Sequence, residues 1–187
     1  MAKVTNWYTM DNKLGVNPNE VVVISSTLFP EYPAPPAKLG DRVQGNNGSE
    51  WCYVQASATV NRGYLVAIDA NFKCAPLTSA LSIAGLYTFG IAQFQATLAN
   101  SSEFFWALMK VAQGATVIVD ASSSVGNAGA ALYVGGSTPG TVMVTAVTNR
   151  LNGLIAITSV SSGNSLEVGM FSYIIPGLAV SMFPSSV

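Results

Sequence analysis

Histidine is absent from the 187 residues. That removes Ser/His/Asp and Cys/His nucleophilic sites, the HExxH zinc helix and most transition-metal sites. Charge is nearly as scarce: eight basic and nine acidic residues make up 9% of the chain, where about 25% is ordinary for a soluble domain. With a net charge of −1 there is no basic surface able to displace counterions from a nucleic acid, so no nucleic-acid partner is expected. Cysteine occurs twice, at Cys52 and Cys74, which permits one bridge and no disulfide framework. Two packed, reduced thiols are expected in a chain without an export signal.

Long hydrophobic runs are missing as well. The opening MAKVTNWYTMDNKLG has no apolar core behind its first lysine, so no secretory signal is expected. The longest apolar stretch, Met170 to Phe183, has 14 residues and is interrupted by Pro176 and Gly177, whereas a membrane helix needs roughly 20. It reads as one or two buried strands, and no membrane partner is expected. Asn47-Gly48-Ser49 and Asn100-Ser101-Ser102 match the glycosylation sequon but read as polar turns.

What is present is apolar material, 50% of the chain, which excludes disorder for want of a core. Residues 1–45 form one region. It holds a polar, aromatic start, the apolar run Val21 to Ile24, and four prolines between Pro30 and Pro36. Proline fixes φ and deletes amide donors, so this piece reads as an extended arm or a surface connection. Residues 46–187 have the texture of an all-β domain, a sandwich or barrel: short runs rich in Val, Ile, Thr and aromatics, punctuated by Gly, Asn and Ser. Nine strands are expected: Trp51 to Ala58, Tyr64 to Ile68, Tyr87 to Gln95, Phe104 to Met109, Ala115 to Asp120, Ala131 to Val134, Thr141 to Thr148, Leu154 to Val160 and Met170 to Ile175. Asn61-Arg62-Gly63 and Gly135-Gly136 would supply positive φ at tight reversals. One short helix is expected, capped by Thr78, running through Ala84 and stopped by Gly85. Phe104 to Gln113 carries helix-forming Ala, Leu, Met and Lys, yet its leading aromatics and strand-like neighbours favour strand.

A loose internal repeat sets Ala56 to Val60 and Tyr64 to Ile68 beside Ala121 to Val125 and Ala130 to Val134, and Gly90 to Gln93 beside Gly153 to Ala156. Two related β units, 46–114 and 115–187, would account for it; ordinary strand-and-turn grammar would also mimic it.

Charge is unevenly placed: from Ala121 to Val187 only Arg150 and Glu167 are ionised. Soluble monomers usually clothe their surface in Lys and Glu. Thr141 to Val147 and Leu154 to Ile157 are apolar on both alternating faces, so both faces are expected to be covered. Interface cores are depleted in charge, which favours a lasting assembly; a Ser/Thr-rich double sheet standing alone is the alternative.

Signs of chemistry are few. Neither GxGxxG nor GxxxxGK[ST] occurs. Asp41, Glu50, Asp69, Glu103 and Asp120 are the carboxylates a glycosidase would draw on, but no spacing singles out a pair, and Asp41 and Asp69 sit in turn contexts. Neither a cofactor nor a metal site is expected, and no enzyme. Trp7, Tyr8, Trp51, Tyr53, Phe104, Phe105 and Trp106 could stack on sugars, or serve as core and interface anchors.

The stretch Asn46-Asn47-Gly48-Ser49-Glu50-Trp51-Cys52-Tyr53-Val54-Gln55-Ala56-Ser57-Ala58, followed by Gly63 to Asp69, Ala75 to Thr78, Gly90 to Gln93 and Phe104 to Leu108, resembles in order and texture the head decoration, or cement, proteins of tailed bacteriophages, particularly those infecting aquatic and marine bacteria. The likeness runs from Asn46 to about Val160, and the Pro-rich segment and nearly uncharged last third depart from it. It implies a β-rich protein on the outer face of an icosahedral capsid, often trimeric, made in the host cytoplasm and locking major capsid protein subunits together. On that reading residues 1–40 reach over the capsid or a sister subunit, by adding a strand to a sheet edge. The expected capsid or subunit interface residues are Trp7, Tyr8, Val22, Phe29, Tyr32, Val142, Val144, Ile155 and Ile157. The alternative is a carbohydrate- or receptor-binding β module of a phage tail spike or fibre.

Overall fold

The computed structural model describes residues 18, 21–23, 35–45, 48–85, 87–93, 103–144, 149–161, 163 and 165–177. Their strands are β1 (Val21–Val23), β2 (Arg42–Gln44), β3 (Glu50–Ala56), β4 (Leu65–Ile68), β5 (Lys73–Pro76), β6 (Thr88–Ala92), β7 (Glu103–Ile118), β8 (Ala131–Val134), β9 (Val142–Met143), β10 (Arg150–Ala156) and β11 (Ser165–Gly177), with one helix, α1 (Ser79–Ile83). The fold is all-β and barrel-like, as the sequence implies.

Five strands close into a barrel in the order β3-β5-β4-β6-β7. β3 and β5 run parallel through Gln55–Lys73 and Ala56–Cys74, and β7 returns antiparallel to β3, setting Trp106 opposite Tyr53 and Phe105 opposite Val54. Closure leaves no free edge within the ring, which is the usual remedy for exposed strand edges. Opposed residues share a face. One face of β3 and β7 therefore carries Trp51, Tyr53, Phe104, Trp106 and Leu108, the other Cys52, Val54, Phe105 and Ala107, and all of these are buried.

The C-terminal half of β7 begins a second ring. β7 pairs β11 (Val117 opposite Leu166), β11 pairs β10 (Ile155 opposite Gly169), β10 pairs β8, and β8 pairs β9. A parallel bridge from Val119 to Val142 and the Asp120 N–H to Val142 carbonyl bond of 2.8 Å bring the end of β7 back to β9. Both rings thus follow one order, first strand parallel to third, third to second, second to fourth, fourth to fifth. Turn geometry repeats too. Tyr64 donates to the Asn61 carbonyl and Gly63 (φ 82°) to Ala92; Ala130 donates to Asn127 and Gly129 (φ 86°) to Ala156. On this register Ala92 answers to Ala156, so Gly90 lies level with Leu154 rather than Gly153, and Ser57, which donates to the Cys74 carbonyl, answers to Asp120 rather than Ser122.

In the second ring burial alternates as period-two strands require. Ala115, Val117, Val119, Leu132, Val134, Leu151, Leu154, Ala156, Leu166 and Val168 are buried, while Thr116, Ile118, Ala131, Tyr133 and Ile155 are half-buried between them. The rings are joined by more than β7. The Gln93 side chain donates to the Thr116 carbonyl at 2.9 Å and accepts its N–H at 3.1 Å, standing in for a missing ladder rung. Leu65 donates to Gly140, Gly140 to Leu77, and Ile118 to Gly63. Asn149, at φ 76°, reaches Ser79.

Several expectations need correction. Phe104 to Met109 and the Ala115–Ile118 part of the next expected strand belong to one 16-residue strand, which ends before Val119 and Asp120; β11 keeps pairing through the intervening stretch at Val111 and Ala115, with a register shift there and Gly114 at φ 96°. β5 and β2 were hidden because Lys-Cys-Ala-Pro and Arg-Val-Gln are poor in β-branched residues; their pairing with the ring, not their own propensity, makes them strands. β10 starts at Arg150 instead of Leu154 and ends at Ala156. β9 is only Val142–Met143, and residues 145–148 of the expected strand lie outside the described residues, as do residues 94–95. Neither Gly135 nor Gly136 has positive φ; Gly140 does, at 82°. Gly135 is required for space, since a Cβ there would lie 2.0 Å from Thr141 Oγ1. α1 forms as expected, with the Thr78 hydroxyl accepting the Leu81 N–H and Gly85 at φ 67°.

The described pieces of residues 1–45 pair within their own chain. β1 lies antiparallel on the start of β7, and β2 on β3. Gly40 donates to the Tyr53 carbonyl and sits against the Phe72 ring. The physical reason is that the starts of β7 and β3 would otherwise present unpaired backbone.

Gly140 combines φ +82° with a Cβ position 2.8 Å from the Tyr64 ring, whereas Gly129 at φ +86° faces open space. G140A is therefore expected to lower stability by roughly 2–4 kcal/mol and G129A by about 1 kcal/mol; urea unfolding of both variants measures the difference.

Candidate interface surface and its polar anchor

The nine expected interface residues separate into groups. Trp7, Tyr8, Phe29 and Tyr32 lie outside the described residues. Val22 pairs with Phe104 in its own chain and packs half-buried on the core. Val142 has 0% exposure, so the expectation that it faces a partner is corrected: ring closure against Val119 turns it into core. Val144 is half-buried, its methyls filling the space a side chain at Gly126 would need. Ile155 and Ile157 remain half-buried, and Ile155 sits opposite Ala131 on the outward side of the second ring.

That outward side has a distinct shape. Between Arg150–Tyr133 and Ile155–Ala131 the β8–β10 register shifts, five residues of β10 spanning what two of β8 span. Leu151 and Leu154 go into the core, Asn152 is exposed, and Gly153 takes φ 85°. Such a bulge redirects side chains and bends the strand. Here it opens a shallow cleft bordered by Gly129, Ala131, Arg150, Asn152, Gly153 and Ile155.

Underneath, one carboxylate anchors the ring. Asp120, 1% exposed, accepts from Ser122 N–H (2.9 Å) and Oγ (2.6 Å), Ser137 N–H (3.0 Å) and Oγ (2.6 Å), Thr138 N–H (3.0 Å) and Thr141 Oγ1 (3.0 Å). Burial alone would oppose ionisation, but the donors from Ser122, Ser137 and Thr138 outweigh it and hold the carboxyl well below the usual carboxylate range. The Asp-x-Ser spacing signals the first of these bonds; nothing in the sequence announces Ser137 or Thr141, which arrive through the β8–β9 connection. With its lone pairs committed to protein donors, Asp120 is a structural tie. Three of the other candidate carboxylates have similar employment. Asp69 accepts the Asn71 and Lys73 N–H groups, Asp41 accepts that of Lys38, and Glu50 pairs with Arg42 at 2.6 Å.

The aromatic cluster is core. Tyr53 stacks on Phe104 with centroids 6.1 Å apart and tilts against Trp106 at 5.0 Å; with Trp51 and Phe105 buried as well, these five offer no stacking platform. Cys52 and Cys74 are free and buried. Burial pushes the Cys52 thiol up to about 11 and raises Cys74 further. Among the described residues no group of three or more Cys, Asp or Glu could hold a metal ion, and no helix is long and apolar enough to cross a membrane.

D120N keeps the shape but leaves several donors poorly met, and is expected to cost roughly 2–4 kcal/mol. Because folding lowers the Asp120 pKa, its stabilisation is complete above the unfolded value of about 3.9 and declines as pH falls below it. Urea midpoints from pH 7 to pH 3 should drop more steeply for the native protein than for D120N. Ellman's reagent at pH 8 should leave both thiols of the folded protein unmodified and titrate two after unfolding in urea.

No protein-family model matches the chain, and no curated protein matches it.

Proposed function

We propose that the protein is a non-enzymatic structural component of a phage particle, bound to the outer surface of an icosahedral head, where it cements neighbouring major capsid protein subunits. The observation that carries this reading is the second ring. Its wall holds half-buried Ala131, Tyr133, Ile155 and Ile157, and the sequence from Ala121 to Val187 has one cation and one anion. A wall of that composition suits a permanent contact better than open water. The two rings share β7 and are tied beside it by the Gln93–Thr116 and Leu65–Gly140 hydrogen bonds, which suits a clamp between subunits. The chain then acts as a homo-oligomer, a trimer in the first instance, needs no cofactor, and resides on the virion after synthesis in the host cytoplasm. The tail-module alternative loses support because the aromatics it would use, from Trp51 to Trp106, are buried.

Shells assembled without the protein provide the test. Added protein should co-sediment with them at saturating stoichiometry and raise the temperature at which they break open, and the free protein should sediment with the mass of three chains. Absence of shell binding, or binding to glycan arrays instead, overturns the reading.

A further inference from the structure

We propose that the cleft at the β10 bulge is the attachment point for a carboxylate side chain of the shell protein, with Arg150 as the receiving group and Asn152 beside it. This rests on the function proposed above and gives the chemistry of the contact.

Arg150 is exposed at the rim of the cleft and, among the described residues, its guanidinium has no ion-pair or side-chain hydrogen-bond partner. It is also the only cation between Ala121 and Val187. The one anion in that stretch, Glu167, is placed by register beyond the Ala156–Val168 pair, at the other end of β10. The surroundings of Arg150 are Gly129, Ala131, Gly153 and Ile155, small or apolar groups that a partner can cover closely. Covering such a surface desolvates whatever charge it carries, and an uncompensated buried charge is strongly unfavourable. A guanidinium retained in a wall whose one anion lies at the far end of β10 is therefore stabilised by an anion from the covering side. Its planar fork matches a carboxylate in two parallel bonds, and the Asn152 amide can donate a third. The bulge contributes the geometry, since Gly153 at φ 85° adds no side chain where the incoming group must approach.

The experiment measures binding to bare shells by wild type, R150A and R150K, with thermal melting as a control for folding. R150A should melt like wild type, because among the described residues the Arg150 guanidinium has no partner, and should bind shells about 30-fold or more weakly. R150K should fall between the two, keeping the charge and losing the fork. A carbodiimide added to R150K-decorated shells should condense the introduced ε-amine with an Asp or Glu carboxyl of the shell protein, forming an amide as the carbodiimide takes up the water to become a urea; mass spectrometry of the digest locates it. Equal binding by R150A and wild type overturns the inference and leaves the cement reading intact. A cross-link from position 150 to another copy of this chain also overturns it. Failure of the wild type to bind any shell removes the function and this contact together.

Discussion

β7 is the constraint on which the other elements depend. Its first half closes one ring and its second half opens another, so a single 16-residue strand is a wall of both. Straight, it would extend roughly 50 Å. A strand used this way cannot slip: a shift of one residue would exchange its inner and outer side chains in the closed barrel and in the second set of strands at once. Consecutive buried residues from Phe104 to Met109 meet that demand on the first ring, where both faces are covered. Alternation from Ala115 to Val119 meets it on the second, where one face looks outward. Each fully buried large side chain adds about 1.5–3 kcal/mol, and the strand concentrates many of them in one place.

The scarcity of charge changes how polar groups are satisfied. With few Lys and Glu to bond loops from outside, the chain does so with backbone and small side chains. Gln93 imitates a backbone rung at the seam, Thr78 caps the helix, and Asp120 gathers the β8–β9 connection. Asp120 is the one buried charge among the described residues, and it lies where ring closure is thinnest, beside the bridge from Val119 to Val142. A charged hub with hydroxyl donors there does what a longer β9 would otherwise do.

Much of the architecture was legible because it depends on local pattern. Val-, Ile- and aromatic-rich runs located β3, β4, β6, β8, both halves of β7 and the later part of β11, and Thr78 with Gly85 bounded the helix. β2 and β5 were not legible, since their pairing with β3 and β4, not their own residues, makes them strands. The strand expected to end at Met109 continues because β11, far away in sequence, pairs with it at Val111 and Ala115. For the surface, Ile155 and Ile157 could be picked out as apolar, whereas Val142 looked identical and is core. The difference lies in a parallel closure that no window of the sequence contains. Arg150 stood out as isolated charge, but its position beside a bulge depends on the register of β8 against β10.

Ring closure also limits how a neighbour can engage the second ring. Outside the bulge at residues 151–154, β10 has β8 on one side and β11 on the other, so a neighbour would meet that part of the flank through side chains. A backbone ladder tolerates almost any sequence; a flank recognises by shape and by a few polar points. Exchanging outward residues on that flank would change its shape and polarity while leaving the strand pairing beneath it in place.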